Sequence, residues 1–346
     1  MKLITYYCGN GENRLGVLCA DGAAFDLLAA AEAAGLPEAN TMFGSMLMLI
    51  EAGNTGLDTA RSLLKDMPSS SYRETAGAYA LRAPLPVPPQ MRDFMAFEQH
   101  VLQGYEASIK MRASRAKNPT EEARRLRASG NFEVPKAWYK QPLYYKCNRF
   151  AVTDPEKEIV WPAYSKLMDY ELELACIIGT GGKDIQKENA RKHVFGFTVF
   201  NDLSARDAQA PEMQGSLGPA KAKDFDDANP MGPCIVTVDE IGDPYNLTMT
   251  ATVNGEKRST SNSNSIYHTF EAMIEHVSQS ETLYPGEIFG SGTVGDGCGL
   301  EAMRFLEDGD VIELEIEKIG ILRNKVSCSR KDSIPAPSRT LDTLKA

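Results

Sequence analysis

The sequence predicts a mostly β chain of the α+β class, divided into two parts, and three observations predict it. Short runs of alternating or continuously apolar residues, bounded by turn residues, recur through the second half. Alanine-rich segments with helical spacing gather near the start. Between the two lies ALRAPLPVPPQ, where Pro84, Pro86, Pro88 and Pro89 favour an extended chain and mark a boundary. Many short strands with few helices fit a rolled or sandwiched sheet better than a doubly wound one.

Taken in order, residues 1–20 read as a hairpin turning at GNGEN, and helices are expected at 24–34, 42–52 and 56–66. A small N-terminal domain is therefore placed at 1–83, the main domain at 84–330 and a polar C-terminal arm at 331–346. Strands are expected at 172–178, 193–202, 234–238, 247–253, 287–291 and 311–316. A helix at 265–279 would bury Ile266, Phe270, Met273, Ile274 and Val277, with Ser265 as N-cap. No internal repeat is present.

The 346 residues carry a net charge of −10, with 42% hydrophobic and 24% charged residues. That balance argues against a nucleic-acid binder. No apolar run approaches membrane-spanning length, and MKLITYYCGNGENR lacks a signal-peptide core, so a cytoplasmic protein without membrane contact is expected. Seven scattered cysteines without CxxC suit reduced thiols. Residues 104–149 depart from the acidic average, with eleven Lys and Arg against four Glu. Within them NPTEEARRLRASG reads as a capped basic surface helix, either a solvated insertion or a cationic lid drawing in an anionic substrate.

The most informative stretch is KLMDYELELACIIG followed by FGFTVFNDLSARDAQ. Glu171 and Glu173 are two apart on an expected strand. Their side chains share a face, with Cα atoms roughly 6.6 Å apart. An acid pair entering an apolar interior is costly unless it meets a cation. Alone, an ExE is more often a solvated strand face. Other pieces keep it company: RDFMAFEQH, where Asp93 precedes His100 by seven residues; NDLSARDAQ, with Asp202, Arg206 and Gln209; KDFD, with Lys223, then PMGP; and GSGTVG, with Thr293, then GLE, ending on Glu301.

In this order the pieces resemble the fumarylacetoacetate hydrolase family across residues 93–326, and its fumarylacetoacetase branch closely, since Asp93, His100 and Glu301 all have counterparts there. The resemblance implies a small SH3-like N-terminal domain, a family-type β-roll C-terminal domain and a homodimer. It implies metal ligands at Asp93, Glu171, Glu173 and Asp202. All-oxygen donors suit Mg²⁺ first, with Mn²⁺ or Ca²⁺ as alternatives. The implied reaction is hydrolytic C–C cleavage of a small anionic 1,3-diketo acid, fumarylacetoacetate- or acylpyruvate-like, with the leaving enolate steadied by the metal. His100 would activate water and Glu301 would orient His100. Arg206, Gln209 and Lys223 would hold the alkoxide, while Tyr139, or else Tyr144 or Tyr145, and Thr293 would contact the substrate.

Each residue also has an ordinary reading. Asp93 could cap a helix at 94–101, Asp202 could close a turn, His100 could lie on a surface turn, and Lys223, Arg206 and Glu301 could be solvated. Asp207 reads as structural, and His193, His268 and His276 match no family position. Asp226 and Asp227 follow Lys223-Asp224-Phe225, where relatives often carry a small or hydroxyl residue at the second of those places, and Lys325 stands where they often carry proline. A lyase, decarboxylase or hydratase acting on a 2-keto acid in the same fold is the alternative, because enolate chemistry serves all of these. A non-catalytic binder is the third reading.

Overall fold

A computed structural model describes residues 1–9, 11–66 and 72–328, so the expected arm at 331–346 lies outside the described residues. Two sheets face each other across one core. The larger has twelve strands, and its central order is Asn229–Thr237, Val194–Asn201, Leu172–Ile178, Ile288–Gly290 and Met91–Phe94. The smaller has five: Glu256–Asn262, Thr248–Val253, Val311–Ile316, Gly320–Cys328 and Glu158–Trp161.

Leu172–Ile178 is buried along its whole length because both of its faces are covered. Leu172, Leu174, Cys176 and Ile178 point into a core shared with Met249, Ala251 and Leu314 of the smaller sheet. Ala175 and Ile177 point the other way, against Leu49 and Ile50 of the N-terminal helices. Glu173 lies on this second face by strand alternation, one step beyond Ala175.

The N-terminal hairpin forms at Lys2–Tyr7 and Asn13–Leu18, and Lys2–Tyr7 also pairs with Asn229–Thr237, so the early strands share the large sheet. Three sequence expectations need local correction. The segment expected as a helix from 24 begins as a strand, Ala24–Asp26, and the helix Leu27–Ala33 follows, capped by the Asp26 carboxylate accepting from Ala29 N. The helices expected at 42–52 and 56–66 run together as Met46–Asp66 with a break at Gly53, whose φ is 58°. The helix expected from 265 begins later, as Phe270–Ser278, because Thr269 and not Ser265 presents a capping oxygen to Ala272 N. Asn118 caps the basic helix Pro119–Ala128.

All seven cysteines are free. Among the described residues no helix is long and apolar enough to cross a membrane.

Candidate active site and metal centre

Strand register places the acids. Met91–Phe94 pairs in parallel with Ile288–Gly290, setting Asp93 opposite Gly290. Leu172–Ile178 pairs with Ile288–Gly290 on one side and with Val194–Asn201 on the other, where Glu173 faces Phe200. Asp202 follows directly on Asn201. Asp93, Glu173 and Asp202, far apart in sequence, thus bring carboxylate oxygens within 4.8 Å of one another, all buried. Asp93 is a strand residue and not the cap of a helix.

The surroundings are cut to fit these carboxylates. A Cβ on Gly290 would lie 2.5 Å from Asp93 Oδ1 and 2.9 Å from Glu173 Oε2, so only glycine leaves them room. Gly292 N donates to Asp93 Oδ1 at 3.2 Å and to Glu173 Oε2 at 3.0 Å. Asp202 Oδ1 is buried without any hydrogen-bond partner. Three converging buried carboxylates, one with an unpartnered oxygen, form a hard donor set that fits a divalent cation.

Electrostatics agree. Burial, then the neighbouring Asp202 charge, raises Asp93 well above the usual carboxylate range. Burial and then Asp93 do the same to Glu173. Burial also raises Asp202, although Lys223 opposes it. Glu171 goes the other way: burial works against its ionisation, but Arg206 and Lys223 hold it below the ordinary range. Its Oε1 lies 2.7 Å from an Arg206 nitrogen and its Oε2 accepts from Lys223 Nζ at 2.7 Å. Lys223 also donates to Asp202. The two glutamates of the ExE therefore do different work in this arrangement: Glu173 joins the trio, and Glu171 binds the cations beside it.

His100 sits on the helix Glu98–Ala113, and its Nδ1 lies 2.8 Å from Glu301 Oε1. Glu301 Oε2 accepts from Cys298 N at 3.1 Å, which fixes the carboxylate. The loop before Glu301 runs beside the ExE strand: Leu172 N donates to Gly297 O, and Glu171 bridges to Cys298. His100 is near enough for its charge to lower Glu171. The His100 helix is docked by Ala107 packing with Leu167, Met303 and Phe305.

One buried residue here was not singled out from the sequence. Asp169 accepts from Gly299 N at 2.7 Å and Leu300 N at 2.8 Å, and from Arg206 Nε at 2.9 Å. It joins the segment carrying Glu301 to the cation that holds Glu171. Its signal lay inside KLMDYELE, as a third acid in register with the pair, but its partners are far away in sequence. Asp169→Asn leaves Arg206 short of a counter-charge in a buried site. A loss of about 3 kcal/mol is expected, read by urea unfolding; unchanged stability would remove Asp169 from this role.

The family model described as Fumarylacetoacetate (FAA) hydrolase C-terminal matches residues 113–327. The chain belongs to the fumarylacetoacetate hydrolase family. Within it, the chain is 41% identical over 199 residues to oxaloacetate tautomerase FAHD2A, mitochondrial, of Bos taurus, covering 57% of this chain and 61% of the relative. It is equally 41% identical over 197 residues to the uncharacterized protein MJ1656 of Methanocaldococcus jannaschii, covering 57% and 76%. The chain thus spans less than two thirds of the mitochondrial relative. Among solved structures, the fumarylacetoacetate hydrolase of Exiguobacterium antarcticum superposes with a TM-score of 0.70 at 26% identity, over 95% of this chain and 100% of that one. The fold is shared by the maleylpyruvate hydrolase of Sphingobium sp. SYK-6, solved in complex with manganese(II) ion and pyruvate, with a TM-score of 0.68 at 23% identity over 95% and 100%.

The remaining expected residues divide. Gln209 Oε1 accepts from Arg206 at 3.0 Å, and Thr293 is buried with its hydroxyl 3.5 Å from Glu173. Tyr139 is half exposed and donates to Glu98, whereas the Tyr145 hydroxyl donates to Asp202 at 2.7 Å. Asp207 accepts from Ser165 Oγ at 2.6 Å and Lys166 N at 2.8 Å, in keeping with a structural role. The departures at 227 and 325 face surface partners: Asp227 pairs with Lys157 at 2.7 Å, and Lys325 lies 3.9 Å from Glu158. In the basic segment, Arg125 pairs with Glu122 and Arg127 with Glu106.

Proposed function

We propose that this chain is a divalent-metal-dependent enzyme of small anionic 2-keto acids that works through an enolate and cleaves a C–C bond in a 1,3-diketo acid by hydrolysis. The observation that carries this reading is a buried oxygen-donor cluster beside a His100–Glu301 pair. A divalent ion, Mg²⁺ first and Mn²⁺ or Ca²⁺ otherwise, held by Asp93, Glu173 and Asp202 with Glu171 alongside, would supply Lewis-acid stabilisation of negative charge on the substrate oxygens. With Nδ1 engaged by Glu301, His100 keeps Nε2 to accept a proton from water. Glu301 holds the ring and steadies the imidazolium. Lys223 and Arg206, with Gln209 on Arg206, steady the alkoxide left by hydroxide attack. Thr293 and a tyrosine, Tyr139 or Tyr145, contact the substrate. A homodimer is part of the proposal.

A second reading is favoured by the 41% identity to proteins named oxaloacetate tautomerases. In it His100 removes a proton from the carbon beside the carbonyl and returns it after keto–enol exchange. The same residues serve, because the enolate is common to both. Assays of purified enzyme with Mg²⁺ or chelator, on acylpyruvates, fumarylacetoacetate and oxaloacetate, separate these. Diketone cleavage supports hydrolysis. Faster decay of enol-oxaloacetate alone supports tautomerisation. Pyruvate with CO₂ supports a decarboxylase, and no turnover of any of them sinks the proposal.

The basic segment gives a smaller expectation. Neutralising Arg124, Arg125 and Arg127 together is expected to raise KM for an anionic substrate by less than about tenfold and to flatten its salt dependence. The effect is small because two of the three are already paired. An unchanged KM would make the segment a plain solvated helix.

A further inference from the structure

Among the described residues a second group of metal-ligating side chains, sharing no residue with the acid trio, is present. A nitrogen of His100, Cys298 Sγ and a Glu301 oxygen lie within 4.8 Å of one another. Their chemistry differs from that of the trio. Asp93, Glu173 and Asp202 offer only hard oxygens, while this group offers imidazole, thiolate and carboxylate. Mixed donors of this kind suit Zn²⁺ and its softer analogue Cd²⁺, and leave Mg²⁺ to the oxygen site.

The group is rigidly built. Cys298 and Glu301 sit three residues apart around one short turn, with Cys298 Sγ accepting from Glu301 N and the Glu301 side chain accepting from Cys298 N. Glu301 is bonded to His100 at 2.8 Å, so two of the three donors already touch. A cavity of about 260 Å³ is lined by Cys298 and Glu301 together with Tyr170, Ser259 and Arg304.

We propose that His100, Cys298 and Glu301 form a thiolate-containing site for Zn²⁺ that inhibits the enzyme by taking His100 out of proton transfer. The ion bonds to Cys298 sulfur as the S–H bond breaks and the proton leaves to solvent; no oxidation is involved. Three protein donors leave a fourth position for water. Because one proton is released, affinity for the ion rises with pH. The inhibitory consequence rests on the reading of His100 as the base, but the site itself does not.

The test uses the full chain in excess Mg²⁺. Titration with Cd²⁺ is expected to produce a thiolate-to-metal ultraviolet band at one equivalent, and Zn²⁺ is expected to compete it away. Cys298→Ser is expected to abolish the band and to weaken Zn²⁺ binding by calorimetry by more than about tenfold, since even loss of an outer-sphere partner costs that much. Basal turnover in Cys298→Ser should persist while half-inhibition by Zn²⁺ moves to higher concentration by the same factor. A band unchanged in Cys298→Ser, or no band in the wild type, overturns the site. A band lost in Cys298→Ser while Zn²⁺ leaves wild-type turnover unaffected keeps the site and overturns the inhibition. If no keto acid is turned over, the ultraviolet and calorimetric readouts still decide whether the ion binds.

Discussion

Replacing His100 with alanine is expected to lower turnover by about 10³-fold or more while Mg²⁺ affinity stays where it was. Positioned general acid–base groups contribute about 10²–10⁴-fold, and His100 is the imidazole paired with the Glu301 carboxylate. Of the other histidines, His193 Nδ1 contacts Thr180 O at 2.8 Å, His268 Nε2 contacts Trp138 O at 2.5 Å, and His276 lies against the Tyr144 ring at 6.4 Å. His100 belongs to the Glu301 pair and not to the acid trio, so its removal takes away the proton acceptor and leaves the ion's oxygens in place. Glu301→Gln should act through His100 and fall short of the His100→Ala loss, because a neutral partner still accepts from Nδ1 but steadies the imidazolium less. Calorimetric titration alongside steady-state kinetics checks both. If His100→Ala loses Mg²⁺ affinity together with turnover, the base assignment fails and His100 belongs with the ion.

Glu173→Gln is expected to have opposite effects on metal binding and on the metal-free fold. One of three clustered carboxylates disappears, so Mg²⁺ affinity should fall by at least about tenfold. The metal-free protein should gain stability, because Glu173 is raised by burial and by Asp93, and an amide removes that conflict. The pH sign follows from the same shifts. Asp93 and Glu173 bind protons more tightly folded than unfolded, so the folded state carries the extra protons. In chelator, stability is therefore greatest at the low end of this window and falls as pH rises from the ordinary carboxylate value through the raised one. Mg²⁺ must displace those protons, so its stabilisation grows with pH over the same window. Melting curves with and without Mg²⁺ across the acid range read both trends. A metal-free protein whose stability rises through that window, or a variant with unchanged Mg²⁺ affinity, would sink the trio as the metal centre.

Much of the fold was legible because its signals are local. The run from Leu172 to Ile178 announced a strand entering the interior, and Thr248–Val253 and Val311–Ile316 alternate as strands with one covered face should. Caps were less legible. Ser265 and Thr269 are both capable residues, and only the path of the 3-10 turn Ser263–Ser265 decided between them. The start of the helix at Leu27 was hidden for a similar reason: Ala24–Asp26 has helix-forming neighbours but pairs with Asn13–Leu18. Tertiary pairing overrode local preference there.

The site shows the same division. By itself the sequence determined the cast: an ExE entering an apolar strand, an acid ahead of His100, and the glycines around Glu301, all of which are chemical identities and short spacings. Tertiary structure alone decided the grouping. Spacing along one strand gives two glutamates the same face, yet Glu173 meets Asp93 and Asp202 while Glu171 turns to Arg206 and Lys223, and Asp169 ties Arg206 to the segment carrying Glu301. The reason is physical. Charges in a buried space settle according to the nearest counter-charge and the room left by residues such as Gly290, and those neighbours arrive from strands and loops whose distance along the chain says nothing of their distance in space.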